Sequence, residues 1–144
     1  MTQLPRTVKK TDRHTARWAT LLLIVFMLGV QYAPESILLL IRIKEWLPDV
    51  LLLYMTIEIY ETSQQSWTKI TEFFWDNGLS FAGMIVGIVI FVLLFARPGY
   101  TLSYEHILIE RWCTLACAFD FFLGLAIVFR ITSAAREREE FPAH

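Results

Sequence analysis

LSFAGMIVGIVIFVLLFA, from Leu79 to Ala96, is a run of 18 residues without a charged side chain, and Arg97-Pro98-Gly99 closes it. About 20 apolar residues in an α-helix cross the roughly 30 Å of hydrocarbon in a bilayer, so this run predicts a membrane span. Composition points the same way. The chain has 144 residues, 56% of them hydrophobic, against about 45–50% in an ordinary soluble domain. The mean hydropathy is +0.48. The fold class predicted is an all-α membrane protein.

Just before this run, Asn77-Gly78 is a turn signal. From Ser66 to Asp76, Trp67, Ile70, Phe73 and Phe74 recur at near-helical spacing, with Lys69, Glu72 and Asp76 elsewhere, which predicts a helix lying along the membrane surface. A first span is predicted over 18–33, followed by Pro34-Glu35-Ser36 and a second apolar stretch from Ile37 to Ile41. Either the helix stops at Pro34 and Ile37 to Trp46 lies in the interface, or one helix over 18–41 kinks at Pro34 and ends at Arg42 and Lys44. A second span is predicted over 47–61, with Pro48 in its first turn and with Asp49 and Glu58 near its ends. A loop from Tyr100 to Glu110 leads to a fourth span over 111–130, closed by Arg130. The expected architecture is a bundle of four transmembrane helices with short interfacial helices, residues 18–131. It lies between a basic tail, 1–17, and a charged tail, 132–144, whose start continues the last helix until Pro142.

Four spans put both termini on one side. Nine Lys and Arg then fall on that side (Arg6, Lys9, Lys10, Arg13, Arg17, Lys69, Arg130, Arg136, Arg138) and four opposite (Arg42, Lys44, Arg97, Arg111). The positive-inside rule therefore predicts cytoplasmic termini, and the general appearance is that of a multi-pass protein of a bacterial inner (plasma) membrane. Pro34 directly after Ala33 disfavours signal cleavage, so the first run reads as a retained anchor. Trp18, Trp46, Trp67, Trp75 and Trp112 fall near predicted span ends, as an aromatic belt would.

Asp120 falls near the middle of the fourth span, where a charged carboxylate costs roughly 2.5–3.5 kcal/mol on insertion scales. It is expected either as a neutral acid bonded to a neighbour such as Tyr54 or Thr114, or as a carboxylate facing water on an ion or proton pathway. Glu58 and Glu61 share a helix face and read either as a cation pair or as carboxylates solvated among headgroups. Gly83 and Gly87 form a GxxxG pattern, a helix-packing signal that serves equally within one chain or between copies. Cys113 and Cys117 share a face but lack further ligands, with His14, His106 and His144 outside the spans, so no metal or cofactor is expected. The charged run Arg136 to Glu140 reads as a solvated helix end. No phosphate-binding loop, serine nucleophile motif or HExxH occurs, and a net charge of −1 without a cationic face argues against nucleic acid.

In chain length, in Glu58 within a short second span and in Arg130 at the basic end of the last span, the layout resembles the small four-span PsiE-type proteins of bacterial inner membranes. No motif is shared, and no function is carried over from it. The expected function is that of a non-enzymatic subunit of a homo-oligomeric or hetero-oligomeric membrane complex, with the lipid bilayer and itself or other membrane subunits as partners. The alternative is a small oligomeric ion channel or proton-coupled transporter with Asp120 and Glu58 on the pathway.

Overall fold

The computed structural model describes residues 14–63, 70–96 and 103–140. They form five helices: α1 (His14–Val30), α2 (Glu35–Leu40), α3 (Ile43–Ser63), α4 (Ile70–Ala96) and α5 (Tyr104–Glu140). No strand occurs among the described residues. Two segments are long and apolar enough to cross a membrane, Ile70–Leu93 and Tyr104–Ala134, and Thr15–Val30 is a shorter apolar helix. The basic tail up to residue 13, the start of the expected surface helix from Ser66 to Lys69, the closing Arg97-Pro98-Gly99 and Pro142 lie outside the described residues.

Several element boundaries differ from expectation. The expected surface helix is instead the first two turns of α4, which continues unbroken through Asn77 and Gly78. Packing overrides the turn signal here. Asn77 is 1% exposed and donates from Nδ2 to the Phe73 carbonyl one turn back at 3.2 Å, so its amide supports the helix it was expected to end. Phe73, fully buried, packs against Phe121 of α5 with ring centroids 5.5 Å apart.

Neither reading of residues 18–46 holds in full. The first helix stops at Val30, α2 is a separate short helix, and Ile43 to Trp46 belong to α3. Arg42, at φ 48°, takes the left-handed conformation that redirects the chain between α2 and α3. The Trp46 indole then donates to the Ile41 carbonyl at 2.8 Å, satisfying an acceptor that the end of α2 leaves open. Pro48 consequently sits in the second turn of α3, where it removes the bond to the Lys44 carbonyl. The expected loop before the fourth span is largely helix as well, because α5 begins at Tyr104.

The four long helices alternate in direction. α1 and α3 are antiparallel: the Glu61 carboxylate meets the Ala16 amide at one end, and the Phe26 and Trp46 rings meet toward the other, 6.4 Å apart. α1 and α4 are parallel, joined by the Arg17–Asp76 ion pair at the same end as Glu61. α4 and α5 are antiparallel, so Phe73 faces Phe121 while Gly83 faces Cys117. α5 touches every other helix, and α3 and α4 flank it without a substantial contact of their own. His14, Ser63 and Ile70 thus share one end, called the near end below; Val30, Ile43, Ala96 and Tyr104 share the far end.

Gly83 and Gly87 are turned toward this chain's own α5. A Cβ on Gly83 would lie 2.6 Å from Cys117 Sγ, and one on Gly87 would fall inside the envelope of Thr114, 2.7 Å from its Cβ and Cγ2. The missing side chains let two backbones approach closely, which is the use of small residues at helix contacts. Gly87→Ala is expected to destabilise the fold by about 1–3 kcal/mol, because the added methyl would overlap Thr114, whose Cβ sits close to its own backbone and cannot swing away as the end of a long side chain could. Gly78→Ala meets nothing within 4 Å and is expected to be neutral or up to about 1 kcal/mol stabilising through helix propensity. Unfolding of the two variants in detergent micelles, compared with the parent, checks both.

Candidate buried carboxyl site

Polar side chains collect inside the helices at two levels. At the first, Thr20 comes from α1, Tyr54 and Glu58 from α3, Ser80 from α4 and Asp120 from α5, all of them buried. Each sits there because of its place on an inward stripe. On α3 the stripe is Leu47, Leu51, Tyr54, Glu58 and Thr62 at three- and four-residue spacing. On α4, Ser80 precedes Gly83 and Gly87 on the same face; on α5, Asp120 follows Cys117 and Cys113.

The hydrogen bonds have a readable direction. The Thr20 hydroxyl donates to the Ala16 carbonyl at 2.9 Å, so the Tyr54 hydroxyl, 2.9 Å from the same oxygen, is the donor to it. The Ser80 hydroxyl donates to Asp120 Oδ2. Glu58 and Asp120 come from different helices, and both are buried, at 0% and 1% exposure. Asp120 stands at the middle of the apolar segment Tyr104–Ala134. Thr62, fully buried, lies one turn from Glu58 toward the near end, and its hydroxyl has no hydrogen-bond partner.

Two expectations change. Glu58 is not solvated at a helix end but 0% exposed, because α5 packs over its face of α3. The Glu61 carboxylate accepts the Ala16 backbone N–H at 3.2 Å, in the first turn of α1, where the helix dipole favours an anion. Ser80 is a partner of Asp120, Tyr54 bonds Thr20, and Thr114 faces Gly87.

The second level lies toward the far end. Gln31 Nε2 donates to Glu110 Oε1 at 2.5 Å, and Glu110 is fully buried. His106 is buried too, contrary to its expected place in a loop. Its Nε2 donates to the Ala33 carbonyl at 2.8 Å, and its Nδ1 lies 2.7 Å from the Ser103 hydroxyl. Half-exposed Lys44 pairs with buried Glu105 and stands 5.0 Å from the Tyr104 ring centroid.

Among the described residues, no group of three or more His, Cys, Asp or Glu side chains stands close enough to hold a metal ion. Cys113 and Cys117 are free and buried. Sequence reasoning singled out Asp120 and Glu58 but passed over Ser80, Thr20 and Glu110. A signal for Glu110 is present: Glu110, Cys113, Cys117 and Asp120 repeat at spacings of three, four and three, one stripe on one helix. No family model, curated protein or solved structure matches the chain, so the resemblance to the PsiE-type proteins supplies no assignment.

Ser80→Ala withdraws a donor from a buried carboxyl and is expected to cost about 1–3 kcal/mol in equilibrium unfolding, with Ser80→Thr recovering part of it. The Lys44 amine is held above its ordinary value of 10.5, first by its hydrogen bond to Glu105. A raised folded value means that the pair stabilises fully below pH 10.5 and that this contribution is lost as pH rises through the folded value. The difference in unfolding midpoint between the parent and Lys44→Met should therefore hold through neutral pH and close in strong alkali.

Proposed function

We propose that this chain is a small multi-pass membrane protein without enzymatic activity, and that its working part is the Glu58–Asp120 layer, which binds and passes protons. In this reading α1, α3, α4 and α5 are the four spans and both termini are cytoplasmic, in a bacterial inner membrane. Support for the membrane setting comes from an inverted distribution of polarity. Leu22, Val25, Leu52, Leu53, Val92 and Phe122 are exposed, while Thr20, Glu58, Asn77, Ser80, Glu110 and Asp120 are buried. Only 28% of the apolar window in α4 and 44% of that in α5 is buried, whereas the core helix of a soluble protein is mostly covered. Trp18 and Trp75, both exposed, flank the Arg17–Asp76 pair at the near end, where an interface would lie.

The observation that carries the proton reading is the burial of two carboxyls on different helices, Glu58 on α3 and Asp120 on α5. A charge buried among apolar helices is expensive, and a carboxyl that takes up a proton there avoids that cost. Buried ionisable groups of this kind mark proton and ion relays in membrane proteins. Thr62 and Glu61 offer a polar approach from the near end.

A second reading, a subunit of a larger complex, rests on α5. Its 37 residues make a helix of about 55 Å, well beyond a bilayer's hydrocarbon, which carries Arg136 to Glu140 outward as a handle for another protein. The inward facing of Gly83 and Gly87 removes the homo-oligomeric seam from its support.

In liposomes under an imposed pH gradient, the parent is expected to dissipate the gradient faster than empty vesicles, and Asp120→Asn and Glu58→Gln to abolish that gain. Dissipation indifferent to both changes removes the layer from the mechanism. A detergent-solubilised particle that elutes with other subunits and shows no flux favours the second reading.

A further inference from the structure

We propose that Glu110 is a second proton-binding site, one that exchanges with the far end while Glu58 and Asp120 exchange with the near end; this rests on the proton-carrier reading above. Glu110 is 0% exposed, and its Oε2 has no hydrogen-bond partner although Oε1 receives Gln31. One turn further along α5, the Thr114 hydroxyl is likewise shielded and without a partner. A half-satisfied carboxyl in a covered position is costly unless something completes it.

The groups around Glu110 narrow what that is. From α1 it faces the neutral amide of Gln31. On its own helix the Cys113 thiol feels its charge, and His106, one turn earlier, has both ring nitrogens engaged. Among the described residues no Lys or Arg pairs with Glu110, and Arg111, next in the chain, is exposed. A hard metal cation would need about six oxygens in regular array, and the Gln31 amide approaches the Glu110 carboxylate with its nitrogen. A proton needs one oxygen. Oε2 takes H⁺ from water, becomes a neutral O–H and returns the same proton on release, with no other bond made or broken.

Placement argues for two stations rather than one continuous wire. Gln31 lies just past the last turn of α1, beside exposed Tyr32, which puts Glu110 near the far end. Ten residues of α5, about 15 Å of helix, separate Glu110 from Asp120. That interval is filled by Met27, Leu51, Cys113, Ala116 and Cys117, each at most 2% exposed. It carries no bonded chain of polar groups, so transfer requires the helices to move.

The full-length protein in phosphatidylcholine liposomes, studied by infrared difference spectroscopy between acid and alkaline buffer, tests this. A carboxylic acid C=O band is expected to titrate, to be lost in Glu110→Gln, to survive in Asp120→Asn, and to change its midpoint in Gln31→Leu. Gradient dissipation is expected to be lost in Glu110→Gln and retained in Glu35→Gln, a change at an exposed carboxylate of α2. A difference spectrum from which Glu110→Gln removes no carboxylic acid component overturns the assignment, as does parental flux in that variant. Loss of the Glu110 band in a protein whose parent moves no protons upholds the site and sinks the carrier reading, so the two failures are distinguishable. Should Glu110→Gln not fold, Glu110→Asp and Gln31→Leu carry the same band measurement, and an unchanged midpoint in both overturns the site.

Discussion

The close approach of α4 to α5 at Gly83 and Gly87 sets the register on which the remaining contacts depend. With Cys117 and Thr114 occupying the space that side chains would fill, the two helices cannot slide without a clash. That register brings Ser80 to Asp120, seats Phe73 and Asn77 against Gly124, and lays the Phe73 ring on Phe121. Because α5 also touches α1, α2 and α3, the same register positions the Tyr54–Glu58 stripe and the Gln31 contact to Glu110.

Around this axis, the ends and the interior are held by different forces. The near end is tied by Arg17–Asp76 and by the Glu61 carboxylate at the first turn of α1; the far end is tied by Lys44–Glu105 and the His106 bonds to Ala33 and Ser103. Ion pairs that are partly open to solvent contribute modestly, so they act mainly to align helix ends. The interior is held by apolar contact in the cluster of Met27, Leu51, Ile109, Cys113 and Ala116, with polar levels above and below it. This apolar layer separates the level of Glu58 and Asp120 from that of Glu110.

Much of the candidate site was legible before any coordinates. Asp120 stood out because an acid at the centre of an apolar run needs an explanation, and Glu58 because it interrupts a short one. Ser80 and Thr20 carried no such signal, since hydroxyls are cheap to place in a helix and acquire meaning only from what they face. Glu110 was read as the last residue of a loop, where a carboxylate needs no account. Its burial comes from α5 starting at Tyr104, and no local feature of residues 100–110 announces that start.

Apolar run length and charge placement by themselves determined that the chain is helical, that Ile70–Leu93 and Tyr104–Ala134 contain segments of spanning length, and that an acid lies mid-way along the last. Those properties are local: they depend on how many consecutive residues avoid charge, and the one-dimensional order records that completely. Tertiary structure alone decided that Asn77 and Gly78 continue a helix, that Gly83 and Gly87 face their own chain, and that Glu58 is buried while Glu61 caps α1. Each of these depends on which helix covers a given face. A helix has several faces that a turn, a glycine pair or a carboxylate can serve, and only packing against a neighbour chooses among them.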